Sequence, residues 1–241
     1  MSLSRNDIKI KMFPKEDLPP IRWWVTNHLV SYEESHQIME HEAQLISTGD
    51  KEELVWLLEY PPIYTAGASS NSSDLLSPKR FPVYHIRRGG GYTYHGPGQR
   101  IVYVMLNLKK RNQDVRCFVA SLEEVIIQTL KKLGINGERR DDRVGIWISH
   151  PNQTVKEKYI EEKIASIGIK IRKWVTFHGF SMNIDPDLSH YEGIIPCGIN
   201  QFGVTSLKKL GRCYSNKHID SLIRESFETI FGPTQLREYK K

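Results

Sequence analysis

Strand-forming segments dominate this chain and constrain its fold more than any other feature of the sequence. Runs of β-branched, aromatic and other apolar residues, bounded by turn residues, are typical of β-strands. Helical segments are fewer and are interleaved with the strands. This order predicts the α+β class (an α/β mixed sheet), with helices packed on a mixed β-sheet. The predicted strands cover residues 21–27, 53–59, 63–67, 81–88, 100–108, 144–149, 162–171 and 173–184.

Two capping boxes and one amphipathic pattern predict three helices. In a capping box, a serine side chain and a glutamate three residues later each satisfy a backbone amide at the helix start. Such boxes begin at Ser31 and Ser121. Apolar residues spaced three and four apart predict a further helix, which Gly232-Pro233 would end. The predicted helices cover residues 31–47, 121–133 and 217–231.

The length of 241 residues suits one large domain. Residues 1–20 end in Pro19-Pro20 and are interpreted as a loosely attached N-terminal lead. Residues 21–241 are predicted to form a single catalytic domain, within which a small C-terminal lobe could begin at about residue 185.

The sequence lacks the features of a membrane or secreted protein. It has no run of about 18 apolar residues, so no transmembrane helix is predicted. The charged N-terminal residues contain no apolar signal-peptide core, which makes the cytoplasm the expected location. Cys117, Cys197 and Cys213 are too few and too far apart for a disulfide framework or a zinc site. We therefore expect no metal site and no membrane association.

The net charge of +6 favours acidic partners. Either a nucleic acid or a small acidic protein would fit that charge. The nearest approach to a basic block, residues 139–143, mixes arginine with aspartate and is interpreted as a solvated loop. Motifs of the common nucleic-acid-binding modules are missing, so no nucleic-acid partner is expected.

The densest chemical signal is the stretch from Arg87 to Gln99. Its three consecutive glycines, Gly89, Gly90 and Gly91, let the backbone approach a ligand closely and adopt positive φ angles. A flexible hairpin turn would explain the glycines, but not the guanidinium, hydroxyl and imidazole groups beside them. The stretch matches neither GxxxxGK[ST] nor GxGxxG, so a P-loop mechanism is not indicated.

Lys163 is the second signal. Strand alternation places it on one face with Ala165, Ile167 and Ile169, and that face is otherwise apolar. A lysine in this setting either extends its ammonium outward to water or serves a function, such as carrying a proton in a desolvated site. Periodicity alone leaves both interpretations open.

Pro196-Cys197-Gly198 is the third signal. The proline fixes the approach of the chain and the glycine clears space beside the thiol, so a second reactant could reach the sulfur. A simple tight turn would use the same residues. Cys117, just before the predicted second helix, and Cys213, in a Lys/Arg-rich connection, lack this setting and are interpreted as structural.

Together these residues resemble one family, the octanoyl-[acyl-carrier-protein]–protein N-octanoyltransferases, also called lipoate-protein ligase B. The matching stretches occur in the family's order and cover most of residues 55–200. The resemblance implies the catalytic-domain fold of biotin- and lipoate-protein ligases. Tyr60 stands where the family commonly has a histidine. The stretches are Trp56–Gly67, Arg88–Gln99, Lys163–Gly168, Phe177–Asn183 and Pro196–Gly198.

The same resemblance implies roles for individual residues. Cys197 is implied to be the acyl-thioester nucleophile, and Lys163 to stabilise its thiolate and act as general acid and base. His95 and His178 are candidates either for proton relay and substrate orientation or for structural roles. The implied substrate pocket comprises Arg88, Gly89, Gly90, Gly91, Tyr92, Thr93, Tyr94, His95, Ser166, Ile167, Gly168, Gly179, Phe180 and Ser181.

The reaction that the resemblance implies is transfer of an octanoyl group from acyl carrier protein to the lysine amine of a lipoyl domain, the first step of protein lipoylation. The expected acceptors are lipoate-dependent enzymes, such as 2-oxoacid dehydrogenase E2 subunits and glycine cleavage H protein. No cofactor is expected, because the donor thioester is already activated.

Three other functions remain open from the sequence. An ATP-dependent lipoate- or biotin-protein ligase of the same fold would need a lysine but no cysteine nucleophile. A cysteine hydrolase would use His178 as its base and water as the acceptor. A non-catalytic module would bind nucleic acid with a steep salt dependence.

Overall fold

The computed structural model describes residues 4–155, 158–195 and 202–239, apart from the side chains of residues 151–155 and 158–159. The helices are α1 (Tyr32–Thr48), α2 (Val115–Lys132) and α3 (Asn216–Phe231). The strands are β1 (Ile21–Leu29), β2 (Leu54–Glu59), β3 (Ile63–Ala66), β4 (Val83–His85), β5 (Tyr92–His95), β6 (Gln99–Met105), β7 (Ile146–Val155), β8 (Lys158–Arg172), β9 (Val175–Asn183), β10 (Gly203–Val204) and β11 (Thr234–Leu236).

Most strands form one mixed sheet. Over the described residues its order is β10-β8-β9-β6-β2-β1-β11, with β7 paired to β8 off this path. β1 is parallel to both β2 and β11, whereas β2, β6, β9 and β8 are successively antiparallel. A small second sheet has the order β4-β3-β5. Helices packed on a mixed sheet confirm the predicted fold class.

Apolar residues cover both faces of the large sheet. In β2, Val55 and Leu57 belong to a core shared with α2 and α3, while Leu54, Trp56 and Leu58 belong to a core shared with α1. Alternate residues of a strand point to opposite faces, so a strand buried on both sides is apolar at nearly every position. This explains the unbroken apolar run that predicted β2.

Residues 4–20 run along the α2 side of the sheet. Met12 is 1% exposed within the larger core. Arg111 donates through Nη1 to the Met12 carbonyl at 2.7 Å, and Arg5 pairs with Glu123 at 2.7 Å. These contacts tie the segment to the rest of the fold at several points.

The second helix begins earlier than its capping box predicted. α2 starts at Val115, where the Asp114 side chain accepts the backbone N–H of Cys117 at 3.0 Å. Ser121 lies inside the helix and donates to the Cys117 carbonyl at 2.7 Å. The prediction was wrong because Asp114 caps the helix, and Cys117 therefore lies in its first turn rather than before it.

Several strand boundaries also differ from the prediction. The strand predicted over residues 81–88 is only three residues long, and the strand predicted at 100–108 ends at Met105. β5 was missed because it was taken as part of the glycine-rich turn. β10 and β11 have two and three residues, which is too short for an alternating pattern to show.

A buried ion pair joins α3 to the sheet. Arg100 of β6 donates to both Asp220 carboxylate oxygens, at 2.8 and 2.6 Å. Removing one partner of a buried pair leaves an uncompensated charge. We therefore expect Asp220→Ala to lower the free energy of unfolding by about 3–5 kcal/mol in urea denaturation.

The matched control is Asp185→Ala, which removes an exposed pair with Lys208 and should cost less than about 1 kcal/mol. An Arg100→Met/Asp220→Leu double variant should recover much of the lost stability. Equal losses for Asp220→Ala and Asp185→Ala would contradict this account.

Candidate active site

A cavity opens between α1, β8, β9 and the glycine-rich segment, with about 570 Å³ of space between atoms, open solvent included. Eleven of its lining residues were predicted from the sequence as pocket residues: Arg88, Gly89, Gly90, Thr93, His95, Ser166, Ile167, Gly168, Gly179, Phe180 and Ser181. The others are Tyr32, Tyr60, Thr65, Ile86, Ile101, Tyr103 and His178. Most of these walls are apolar, with polar groups at a few points.

The pairing of β8 with β9 builds one wall of the cavity. Ser166 lies opposite Ser181, and Gly168 lies opposite Gly179. A Cβ atom on Gly168 would approach Arg88 Cδ to 2.8 Å. Glycine at this position therefore lets the arginine side chain lie directly against the strand.

Arg88 reaches inward and binds the backbone around it. Its Nη2 donates to Thr65 Oγ1 at 2.8 Å and to the Gly91 carbonyl at 3.1 Å, while Nη1 donates to the Gly89 carbonyl at 2.8 Å. Gly90, between those carbonyls, has a φ of +86°, a region that favours glycine. The guanidinium fixes the glycine-rich segment against β3.

Three of the predicted pocket residues do not line the cavity. β5 alternates, so Thr93 and His95 face the cavity while Tyr92 and Tyr94 pack in a separate cluster around the small sheet. Tyr94 hydrogen-bonds through its hydroxyl to His190 Nδ1 at 2.8 Å. Gly91 is not part of the cavity lining, and its carbonyl accepts a hydrogen bond from the Arg88 guanidinium.

Two histidines of the cavity wall are held neutral. Burial, followed by the Arg88 charge, lowers the pKa of His178 to about 3. Burial also lowers the pKa of His95 to about 4, although its hydrogen bond to the Gln99 side-chain oxygen acts in the opposite direction. Both rings are therefore uncharged near neutral pH.

His178 has an unusual backbone and ring environment. Its φ is +62°, which is rare for a non-glycine residue, and the residue is 5% exposed. Within the described part of the chain, neither of its ring nitrogens has a hydrogen-bond partner. A buried polar side chain at a cavity wall with unused hydrogen-bonding capacity is suited to contacting a ligand.

Tyr32, Tyr60 and Tyr103, which were not predicted as pocket residues, form the wall next to α1. Ser35 donates to the Tyr32 carbonyl at 2.8 Å and contacts the Tyr60 hydroxyl at 2.6 Å. The Tyr60 hydroxyl in turn bonds to that of Tyr103. Desolvation by burial raises the pKa of Tyr60. Tyr103 stands two residues after Ile101 on the same strand face and in the same core, so its spacing alone does not mark it as a cavity residue.

Lys163 is buried in the sheet, with 7% of its surface exposed. Its Nζ lies 4.7 Å from the ring centroid of Trp147, and its carbonyl accepts the backbone N–H of Thr205 at 3.0 Å. The interpretation that its ammonium extends outward to water was therefore wrong. Among the described residues, the cavity lining does not include Lys163; it lies three residues before Ser166 on β8.

Cys197 lies outside the described residues. The described chain stops at Ile195, which donates its N–H to the Asp74 carbonyl, and resumes at Phe202, whose ring lies 5.3 Å from that of Trp147. Val204 then pairs with Lys163 in the sheet. Cys117 is buried against the Lys9 carbonyl, and Cys213 is exposed.

The described residues lack two kinds of feature. They hold no group of three or more His, Cys, Asp or Glu side chains arranged for a metal ion. Nor does any of their helices have the length and apolar character needed to cross a bilayer.

Comparison with known proteins gives a consistent result. The model of the lipoyl protein ligase A/B catalytic domain matches residues 31–228. An octanoyltransferase of Agrobacterium fabrum is 54% identical over 233 residues, covering 96% of this chain and 87% of that protein. An octanoyltransferase of Rhizobium etli is 53% identical over 236 residues, covering 97% and 98% respectively.

The crystal structure of lipoate-protein ligase A bound with ATP superposes with a TM-score of 0.68 at 12% identity, covering 92% of this chain and 90% of that one. At this identity the likeness concerns the fold alone. A family model that spans most of the sequence and relatives at more than half identity lead to one assignment: this chain belongs to the lipoyl protein ligase A/B catalytic-domain family.

Proposed function

We propose that this chain is an octanoyltransferase, which moves an octanoyl group from acyl carrier protein to the lysine amine of a lipoyl domain. The observation that carries the proposal is the 54% identity, over 96% of the chain, to a protein named octanoyltransferase. The acceptors are lipoyl domains of lipoate-dependent enzymes, such as 2-oxoacid dehydrogenase E2 subunits and glycine cleavage H protein. Residues 21–241 act as one catalytic domain.

The cavity suits a medium-length acyl chain. Ile86, Ile101 and the rings of Tyr32, Tyr60 and Tyr103 give its walls an apolar character. Arg88 provides a fixed positive charge at the same cavity, and such a group can stabilise negative charge as it develops on a carbonyl oxygen. An octanoyl thioester offers both an apolar chain and a carbonyl.

The energetics of the reaction require no ATP. Transfer from the carrier thioester to a cysteine thiol makes a second thioester of similar energy. Transfer from there to an amine makes an amide, which is more stable. The basic net charge of +6 favours a transient encounter with an acidic carrier protein.

In this proposal Cys197 attacks the donor thioester, and Lys163 is the charged group beside it. A free cysteine is only about 3% thiolate at pH 7, so a neighbouring ammonium would raise the reactive fraction. Cys197 lies shortly before Val204 in the sequence, and Val204 of β10 pairs with Lys163 of β8. Only a short length of chain therefore separates Cys197 from a residue that neighbours Lys163 in the sheet. In the first step Lys163 gives its proton to the departing carrier thiolate, and the neutral Lys163 can then take the proton that the acceptor amine loses.

Intact-mass spectrometry tests the nucleophile directly. After mixing with octanoyl carrier protein, the wild-type protein should gain the mass of one octanoyl group, because Cys197 forms a stable thioester. Cys197→Ala should gain none, whereas Cys117→Ser and Cys213→Ser should acylate normally.

An acyl group found on Cys117 or Cys213 would overturn the assignment. If Cys197→Ala instead joined free octanoate to a lipoyl domain with ATP, the protein would be a ligase. Acylation followed by release of octanoate, with no transfer to the lipoyl domain, would make it a hydrolase.

Substitutions of Lys163 separate its two roles. Lys163→Arg keeps the positive charge but holds its proton at any physiological pH, so Cys197 should still acylate while transfer to the amine slows at least about 100-fold. Lys163→Gln should slow both steps.

Lys170→Gln is the matched control, because Lys170 lies on the same strand and does not line the cavity. Its Nζ likewise lies over an aromatic ring, 4.9 Å from the ring centroid of Phe177. Lys170→Gln should leave both steps unchanged. Equal rates of amine transfer for wild type and Lys163→Arg would remove the proton-carrying role.

Two glycines of the cavity wall provide a test of the Arg88 geometry. Gly168→Ala places a Cβ 2.8 Å from Arg88 Cδ, so the guanidinium must shift and kcat/KM should fall roughly 10- to 100-fold. Gly89→Ala is the control, since its Cβ meets nothing closer than the Ile169 carbonyl at 3.9 Å. Similar activities of the two variants would show that the position of Arg88 does not matter.

A further inference from the structure

A chain of hydrogen bonds runs from the backbone beside Lys163 to the cavity wall. Asn183 donates through Nδ2 to the Thr205 carbonyl at 2.9 Å. A carbonyl can only accept, so this bond fixes which end of the Asn183 amide carries the hydrogens. Its Oδ1 therefore accepts, and it does so from Gln99 Nε2 at 2.9 Å.

The same logic fixes the Gln99 amide. Its Nε2 is a donor to Asn183 and also lies 3.2 Å from the Tyr94 carbonyl. Its Oε1 is consequently an acceptor, and it lies 2.6 Å from His95 Nδ1. Gln99 is fully buried, so its amide cannot turn without breaking several of these bonds at once.

Three consecutive constraints therefore select one tautomer of His95. Nδ1 must carry the hydrogen, because the Gln99 oxygen beside it can only accept. The neutral ring then has its lone pair on Nε2. Since Nδ1 is directed at Gln99 and His95 lines the cavity, the Nε2 edge of the ring is the one available to a ligand.

We propose that Nε2 of His95 accepts a hydrogen bond from the acceptor lysine amine and orients it for attack on the octanoyl thioester. This inference rests on the proposed function. The acyl chain and the thioester have no hydrogen to donate, whereas the attacking amine does. The nitrogen–carbon bond forms, the carbon–sulfur bond breaks, sulfur leaves as thiolate, and the amine proton passes to Lys163.

His95 contacts the substrate in this scheme but does not keep the proton. Burial keeps its pKa at about 4, so the ring stays neutral while it accepts the hydrogen bond. Gln99 and Asn183 are positioning residues, because they act through His95. The same chain of amides also fixes the backbone beside Lys163, through Thr205.

The tautomer can be measured without any assay of activity. In a two-bond ¹H–¹⁵N spectrum of histidine-labelled protein at neutral pH, His95 should show a protonated Nδ1 and an unprotonated Nε2. His95→Gln identifies its signals. A protonated Nε2, or averaged shifts for the two nitrogens, would overturn the proposal.

Two substitutions then test the role in transfer. His95→Asn places an amide donor near Nδ1, so it keeps the bond to Gln99 but loses the cavity acceptor. His95→Gln can place an oxygen near Nε2, so it keeps the acceptor but loses the bond to Gln99. We expect amine transfer from acylated Cys197 to be slowed about 10- to 100-fold in His95→Asn and less in His95→Gln, each measured relative to the acylation step of the same variant.

A purely structural His95 would give the reverse order, with His95→Asn the milder change, and that result would overturn the proposal. Slowing of the acylation step alone would also overturn it, since His95 would then contact the octanoyl donor and not the acceptor amine. If wild-type protein acylates but never transfers to a lipoyl domain, the proposed function itself fails, whatever the tautomer of His95.

Discussion

The Arg88 guanidinium is the contact on which the geometry of the cavity depends. A planar fork of N–H donors needs several acceptors when it is buried, and Thr65 and Gly91 provide them from two different segments. The approach is possible because Gly168 and Gly67 have no side chains; a Cβ on Gly67 would lie 2.7 Å from Nη1. One side chain thus holds β3, β8 and the glycine-rich segment at fixed separations.

The charge of Arg88 also shapes the chemistry of the walls. It acts with burial to disfavour protonation of His95 and His178, so the described residues give the cavity wall one fixed cation and two neutral imidazoles. Neutral rings keep lone pairs that can accept hydrogen bonds, while the cation favours negative charge on oxygen. Acyl transfer to an amine uses both properties, because its intermediate has an oxyanion next to a nitrogen that must release a proton.

The sequence predicted the elements whose signals are local. The apolar run of β2 and the serine cap of α1 are of this kind. The glycine-rich wall of the cavity is another example, because consecutive glycines in a sequence indicate that the backbone can approach other groups closely. The start of α2 was missed because Ser121 and Glu124 satisfy the capping-box pattern inside a helix that Asp114 already caps.

The remaining features depend on contacts between distant segments. Tyr32 and Tyr103 are 71 positions apart in numbering and occupy apolar positions typical of any core, so nothing in their spacing distinguishes a cavity wall from a packed interior. The orientation of Gln99 likewise follows only from Asn183 and Thr205, which lie far along the chain. The burial of Lys163 depends on Trp147, which belongs to the neighbouring strand.

The pairing of β11 with β1 has a consequence for how the molecule is made. Ile21 is aligned with Thr234, 213 positions later in the sequence, and Trp23 is aligned with Leu236. During synthesis on the ribosome, one edge of β1 therefore stays open until β11 has emerged. Strand β11 then closes the sheet next to β1, so this part of the sheet cannot form before β11 has been translated.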